Sequence, residues 1–164
     1  MTKVVRNEHL MCPSAQPTHM GARVFGVQIG TSTDDVRVGY LTESYPVTEE
    51  LLALAGAAPP TEVLRIAALC IKCDHHDGNG CRLAHRVATM LDPVVSSLPR
   101  CAIRPTCLWF HQEGKEACLR CPQVTTVKRS PTAFEEVVAG VPVVRAEDLP
   151  GMRDRRPSLP QAGV

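Results

Sequence analysis

Seven of the eight cysteines of this chain lie between positions 70 and 121, in two groups that each contain a Cys-x2-Cys step. In such a step the intervening turn directs both thiols to the same side, so the two sulfurs converge on one ion or cluster. The spacing therefore predicts a cysteine-ligated metal centre. We call Cys70, Cys73 and Cys81 the first cysteine group, and Cys101, Cys107, Cys118 and Cys121 the second cysteine group.

Composition and charge limit the cellular location and the classes of partner expected for a protein with such a centre. The N-terminal residues lack the apolar stretch of a secretory signal, and no segment approaches the roughly 18 apolar residues of a membrane span. We therefore expect a cytoplasmic protein without a membrane partner, where reduced thiols serve as metal ligands rather than as disulfides. The formal net charge of +1 argues against a nucleic-acid partner, which normally selects a clear basic excess.

Outside the cysteines, residue patterns predict a small single α+β domain with a short β-hairpin, two or three short helices and a cysteine-rich, metal-stapled loop region. Two β-branched runs, 23–29 and 36–41, flank a turn of Gly, Ser, Thr and Asp, which indicates the hairpin. The apolar run 61–70 fits either a strand or a helix. Apolar residues at three- and four-residue steps predict an amphipathic helix over residues 81–98, which Pro93 kinks or ends.

The same patterns divide the chain into three parts. Residues 1–20 are polar and aperiodic, which predicts a flexible N-terminal arm, and the charged, proline-punctuated residues 146–164 predict a disordered tail. Between them, residues 21–145 form the predicted metal-binding α+β domain, with its cysteine-rich core at 70–121. Within that core we expect residues 101–121 to be mainly loop, apart from a helical turn around Phe110 to Ala117.

The second cysteine group supplies four thiolates, the number that tetrahedral zinc or a [4Fe–4S] cluster takes. Pro122 directly follows the last cysteine, as in the Cys-Pro ending of many ferredoxin cluster runs. Zinc knuckles commonly carry glycine after the second cysteine of the pair, where this chain has Asp74 and Pro122. Residues 108–110 (Leu-Trp-Phe) can shield a cluster from water. These features favour [4Fe–4S] over zinc, although zinc stays the alternative.

The first cysteine group needs a fourth ligand to form its own site. His85 lies four residues after Cys81, on the same face of the predicted helix, and would complete a Cys3His zinc site. We take His85 as the predicted ligand, while Cys12, His75 and His76 stay open. Cys12 would instead give an all-thiolate site, and with it two clusters from eight cysteines. A single cluster that mixes ligands from the two groups is a third arrangement.

The function that these features predict is that of a small cytoplasmic iron–sulfur protein, which transfers or senses electrons together with a larger protein partner. No HExxH, GxSxG or phosphate-binding loop occurs, so we expect neither an enzyme acting on its own nor an identifiable small-molecule substrate. The alternative is a structural zinc module that binds or regulates another protein without redox chemistry.

Overall fold

Four antiparallel strands and six short helices make up the residues that the computed structural model describes, which are 9–29, 37–71, 73–126 and 131–140. The strands follow one another across the sheet in the order β1-β4-β2-β3. This architecture confirms the predicted α+β class. The strands are β1 (Met11–Cys12), β2 (Arg23–Ile29), β3 (Arg37–Pro46) and β4 (Leu64–Leu69), and the helices are α1 (Glu49–Ala53), α2 (Pro60–Val63), α3 (Arg82–Met90), α4 (Leu108–Glu113), α5 (Lys115–Arg120) and α6 (Ala133–Ala139).

Strands β2 and β3 form the predicted hairpin, whose turn lies outside the described residues. The pairing of β2 shifts between Val24 and Gly26 on both of its edges, as at a β-bulge. A Cβ atom at Gly26 would lie 2.6 Å from Cγ1 of Val38, so a glycine is needed for this close approach of β3. The Cβ atom of Arg65 on β4 lies 3.7 Å from that Cβ position at Gly26, so this arginine is in the middle of the sheet.

Strand β4 resolves the ambiguous run 61–70, because Pro60 begins the single turn of α2 and the chain then extends. Residues 64–68 are all buried, as expected of a central strand that is covered on both faces. Leu64, Ile66 and Ala68 pack on one face with Val24. The alternation of side chains puts Arg65 on the opposite face, with the residues of the larger core cluster.

The helical region agrees with the prediction in one respect and differs in others. Helix α3 ends at Met90, and Leu91 is already extended, as expected if Pro93 ends the helix. Val94 and Leu98, predicted to continue the apolar stripe, are each 45% exposed. The expectation that residues 101–121 are mainly loop is wrong, since they contain α4 and α5, separated by Gly114 at φ 70°. Burial against the core stabilises these short helices, which the sequence pattern alone does not predict.

Part of the predicted N-terminal arm belongs to the sheet. Met11 pairs with Leu69, Cys12 pairs with Ala68, and Met11 also forms a parallel bridge with Cys107. The rest of that arm up to residue 8, and the predicted tail 146–164, lie outside the described residues. In the described part of the chain, no helix has both the length and the apolar composition needed to cross a bilayer.

Candidate metal centre

Strand β1 places Cys12 beside the first cysteine group. Cys12 is opposite Ala68 in the sheet, two residues before Cys70. The backbone N–H of Cys70 donates to the carbonyl oxygen of Leu10 at 3.0 Å, which extends the pairing to the end of β4. The register of two short strands therefore holds a thiol from the N-terminal segment next to the start of the cysteine-rich core.

The loop after β4 folds back so that Cys73 and Cys81 approach each other. His76 donates its backbone N–H to the carbonyl oxygen of Cys73 at 2.8 Å, and His76 forms an antiparallel bridge with Cys81. Oδ1 of Asp77 accepts the backbone N–H groups of Asn79 and Gly80 at 2.9 and 3.0 Å, which closes the turn between these cysteines. The turn thus returns the chain to Cys81, which caps the N-terminus of α3.

Electrostatics shows that Cys12 and the first cysteine group share one environment. Burial is the main cause that raises the pKa of Cys12 to about 12, and the charges of the three cysteines of the group contribute to this rise. Burial also raises the pKa of Cys81, to which the charges of Cys73 and Cys70 add. We call Cys12, Cys70, Cys73 and Cys81 the first thiol site.

The histidines considered as fourth ligands have other partners. Nδ1 of His85 lies 3.2 Å from Oε1 of Glu113, and the side chain of His85 is 65% exposed. Nδ1 of His75 is 3.3 Å from Nη2 of Arg86, and Nδ1 of His76 accepts the backbone N–H of Gly78 at 3.0 Å. The structure therefore brings Cys12, rather than His85, into the environment of the three thiols.

Helices α4 and α5 position three of the four cysteines of the second cysteine group. Cys107 is the N-cap of α4, Cys118 lies within α5, and Cys121 directly follows α5. Burial is the main cause that raises the pKa of Cys107 to about 12, and the charges of Cys121 and Cys118 contribute to this rise. The pKa of Cys101 is raised by burial and by the same two charges. These four cysteines form the second thiol site.

Two guanidinium groups lie beside the second thiol site. Arg65, which is 1% exposed, places Nη2 3.2 Å from Sγ of Cys121 and Nη1 2.6 Å from the carbonyl oxygen of the same residue. Burial raises the pKa of Cys118, and the nearby guanidinium of Arg104 lowers it. The surroundings of this site are therefore those of an anion.

The backbone N–H of Ala84 donates to Sγ of Cys81 at 3.4 Å, at the N-terminus of α3. Burial raises the pKa of Cys12, Cys81, Cys101 and Cys107, and nearby backbone N–H groups partly offset that rise. N–H groups beside a sulfur favour the thiolate form, and in metal sites they tune the ligand sulfur.

Gln112 fixes the backbone of the first thiol site to α4. Its Oε1 accepts the backbone N–H of Cys81 at 2.8 Å, and its Nε2 donates to the carbonyl oxygen of Cys81 at 2.8 Å. A Cβ atom at Gly80 would lie 2.6 Å from Oε1 of Gln112, so the clamp depends on a residue without a side chain at that position. Gln112 thereby connects the element that carries Cys107 to the other thiol site.

All eight cysteines are free thiols, and each of them lies within the described residues. Across those residues, no group of three or more His, Cys, Asp or Glu side chains has the close geometry of a formed metal site. The thiols of each site influence one another's charge, but they do not stand at ligating positions. No protein-family model, curated protein or solved structure matches the chain. Its function therefore has to be argued from these two thiol sites.

Sequence reasoning missed three residues of these sites, namely Arg65, Arg104 and Gln112. A signal existed for Arg65, since it is the one charged residue in the apolar run LRIAAL that forms β4. A charged side chain in a buried strand requires a counter-charge or a full set of hydrogen bonds, and this marks it as a candidate for the site. Neither Arg104 nor Gln112 has a comparable sequence signal.

Proposed function

We propose that the protein binds two iron–sulfur clusters, one at each thiol site, and that it transfers or senses electrons together with a larger protein partner in the cytoplasm. Cys12 completes the first thiol site in this proposal, which gives each cluster four thiolate ligands. The observation that carries the proposal is the contact between the buried guanidinium of Arg65 and the sulfur of Cys121.

A buried guanidinium stays charged, so it needs an anion nearby. Among the described residues, no carboxylate forms an ion pair with Arg65, whose electrostatic partners include the side chains of Cys121, Tyr40 and Cys107. Four thiolates around a divalent ion or a [4Fe–4S]2+ core carry a net charge of about −2. Arg65 and Arg104 together supply two positive charges, which balance such a centre and would oppose each other across four neutral thiols.

Unpaired N–H donors on two arginines beside the second thiol site favour iron–sulfur over zinc. Nε of Arg65 and Nε of Arg104 are buried without a hydrogen-bond partner among the described residues. Buried donors are almost always paired, so these two require additional acceptors. A zinc ion adds no acceptor to the four cysteine sulfurs, whereas an iron–sulfur core adds inorganic sulfides.

The apolar surroundings of the second thiol site suit a redox centre. Leu108, Trp109 and Ile103 are buried in the same core cluster as Cys107. Exclusion of water and hydrogen bonds to sulfur are the two main means by which a protein sets the potential of a cluster. Both are found around these thiols, which supports electron transfer or redox sensing rather than a purely structural role.

The first thiol site is the more accessible of the two and is the proposed point of contact with the partner. Cys73 is exposed. The nearby apolar side chains of Ile71 and Leu69 are 58% and 41% exposed. Apolar side chains around an exposed ligand are typical of a surface at which electrons pass between proteins. The larger partner therefore docks, in this proposal, beside Cys73.

The proposal is tested by one substitution in each thiol site, in protein purified without oxygen. Cys73→Ser and Cys118→Ser should each lower iron and acid-labile sulfide to about half of the wild-type content, since each removes one ligand of one cluster. Ser96→Ala, an exposed serine in the loop after α3, serves as the control and should leave both contents unchanged. Loss of zinc instead of iron in the two cysteine variants would support the structural zinc module.

A further inference from the structure

A cavity of about 650 Å³ lies beside the first thiol site. Its walls come from the segment after β1, the end of β4, the loop that carries Cys73, and helices α3 and α6. All four thiols of the first site line it, whereas none of the described residues that line it belongs to the second thiol site. The two thiol sites therefore differ, because one is enclosed by core residues and the other faces an open space.

One wall of the cavity is apolar. Leu83 and Val87 lie about one turn apart on α3, Leu91 directly follows that helix, and all three line the cavity. From α6, Phe134 and Val138 contribute to the wall, and Phe134 is half exposed at the rim. The helices α3 and α6 therefore form the apolar side of the cavity.

Polar side chains also line the cavity, among them the carboxylates of Asp74, Asp92 and Glu135. Oγ of Ser14 and Oγ1 of Thr126 lie 2.9 Å apart on one side of the cavity. His75 lines it close to the thiols, and Nδ1 of this histidine faces Nη2 of Arg86 at 3.3 Å. Arg86 always donates, so Nδ1 is the acceptor and the proton of the neutral ring is on Nε2. A polar group of a ligand that accepts a hydrogen bond can be recognised there.

We propose that this cavity binds a small organic molecule with an uncharged, mainly apolar body, held against the first thiol site. The volume falls within the roughly 300–1,000 Å³ of small-molecule sites, and a lining whose surface is mainly apolar is typical of them. In this proposal, a bound molecule contacts the four thiols of the first site and thereby alters the surroundings of the metal centre that they hold. The inference does not depend on whether the centre contains iron or zinc.

The test uses the full-length protein with its metal bound and the uncharged fluorescent probe N-phenyl-1-naphthylamine. Saturable binding of one probe per chain is expected, with a blue shift of the emission. Leu83→Trp fills the cavity from α3 and should weaken binding by about tenfold or more. Phe134→Ala removes a rim side chain that is half exposed, and should weaken binding about threefold without disturbing the fold. Val94→Trp, at an exposed position outside the cavity, is the matched control and should bind as the wild type does.

Any one of three results would overturn the inference. The wild type could fail to bind the probe saturably, it could take up several probes per chain as a loosely packed protein does, or Phe134→Ala could bind the probe as well as the wild type. Metal content is measured on the same samples, which separates this inference from the proposed function. A protein with metal but without probe binding contradicts the cavity alone, whereas saturable probe binding by a protein without metal contradicts the clusters alone.

Discussion

Nη2 of Arg65 lies 3.2 Å from Sγ of Cys121 and 3.1 Å from the carbonyl oxygen of Pro13, the residue that follows Cys12. One buried guanidinium therefore joins the second thiol site to the backbone of the first. Its plane also lies over the ring of Phe25, 5.4 Å from the centroid, which fixes its orientation in the core. Arg65 is in a position to make the stability of one site depend on the other.

We expect Arg65→Lys to speed the release of metal from the second thiol site. A lysine keeps the positive charge but cannot hold Cys121 and Pro13 with one planar group. The loss of hydrogen bonds to a charged centre should lower the free energy of unfolding by about 1.5–3 kcal/mol. Release is followed with a chelator, and stability by urea titration of the metal-loaded protein.

Arg23→Lys is the matched control for that substitution. Arg23 donates from Nε to Oγ of Ser44 at 2.7 Å and from Nη2 to the carbonyl oxygen of Ser44 at 2.8 Å, in the same sheet. It should not alter metal release, because Ser44 belongs to neither thiol site. Equal release rates for the Arg65→Lys and wild-type proteins would show that the guanidinium does not support the second site.

The fourth ligand of the first thiol site is decided by comparing Cys12→Ser with His85→Gln. The structure places Cys12 in the field of the three thiols and His85 beside Glu113, so only the Cys12 variant should lose the metal of this site. Metal content per chain is the measurement. If His85→Gln lost the metal and Cys12→Ser kept it, the site would be the Cys3His arrangement.

Local patterns in the sequence predicted what depends on short separations along the chain. The hairpin followed from two β-branched runs around a turn, and the second cysteine group was predicted as one unit because its four thiols lie within a short segment. The structure confirms the hairpin, and it places those four thiols in one environment. Helix α3 ends before Pro93, which is one of the two outcomes expected of that proline, since proline lacks the N–H that would continue the helix.

What the sequence could not predict depends on contacts between distant residues. Strand β1 has two residues, too few for any periodicity, and yet its pairing with β4 decides the place of Cys12. The clamp between Gln112 and Cys81 likewise arises only when α4 packs against the start of α3. Such contacts are set by tertiary packing, which a local pattern does not encode.

Gln112→Ala should weaken the first thiol site and leave the second largely intact. The substitution removes both hydrogen bonds to the backbone of Cys81, at an expected cost of about 1–3 kcal/mol. Gln123→Ala is the control, because Gln123 donates to the carbonyl oxygen of Asp92 at 2.7 Å on the exposed side. The glutamine variants are combined with Cys118→Ser to follow metal release from the first thiol site alone, and with Cys73→Ser to follow release from the second. Equal effects of the two glutamine variants would contradict a special role of the clamp.

Metal binding should become weaker as the pH falls. Burial raises the pKa of Cys12 and of Cys107 to about 12, so these thiols are protonated in the metal-free protein at neutral pH. Metal ligation requires thiolates, so the bound state holds fewer protons and its affinity decreases with decreasing pH. Competition titrations of the metal-free protein with zinc as the probe ion, between about pH 8 and about pH 6, measure this slope. An affinity that does not change over this range would contradict ligation by the buried thiols.

The most direct test of the account is the content of iron, acid-labile sulfide and zinc in full-length protein purified without oxygen. If the protein binds two iron–sulfur clusters, it should be brown, with broad absorbance at about 400 nm and equal amounts of iron and acid-labile sulfide. A colourless protein with stoichiometric zinc, or one without any metal, would contradict it.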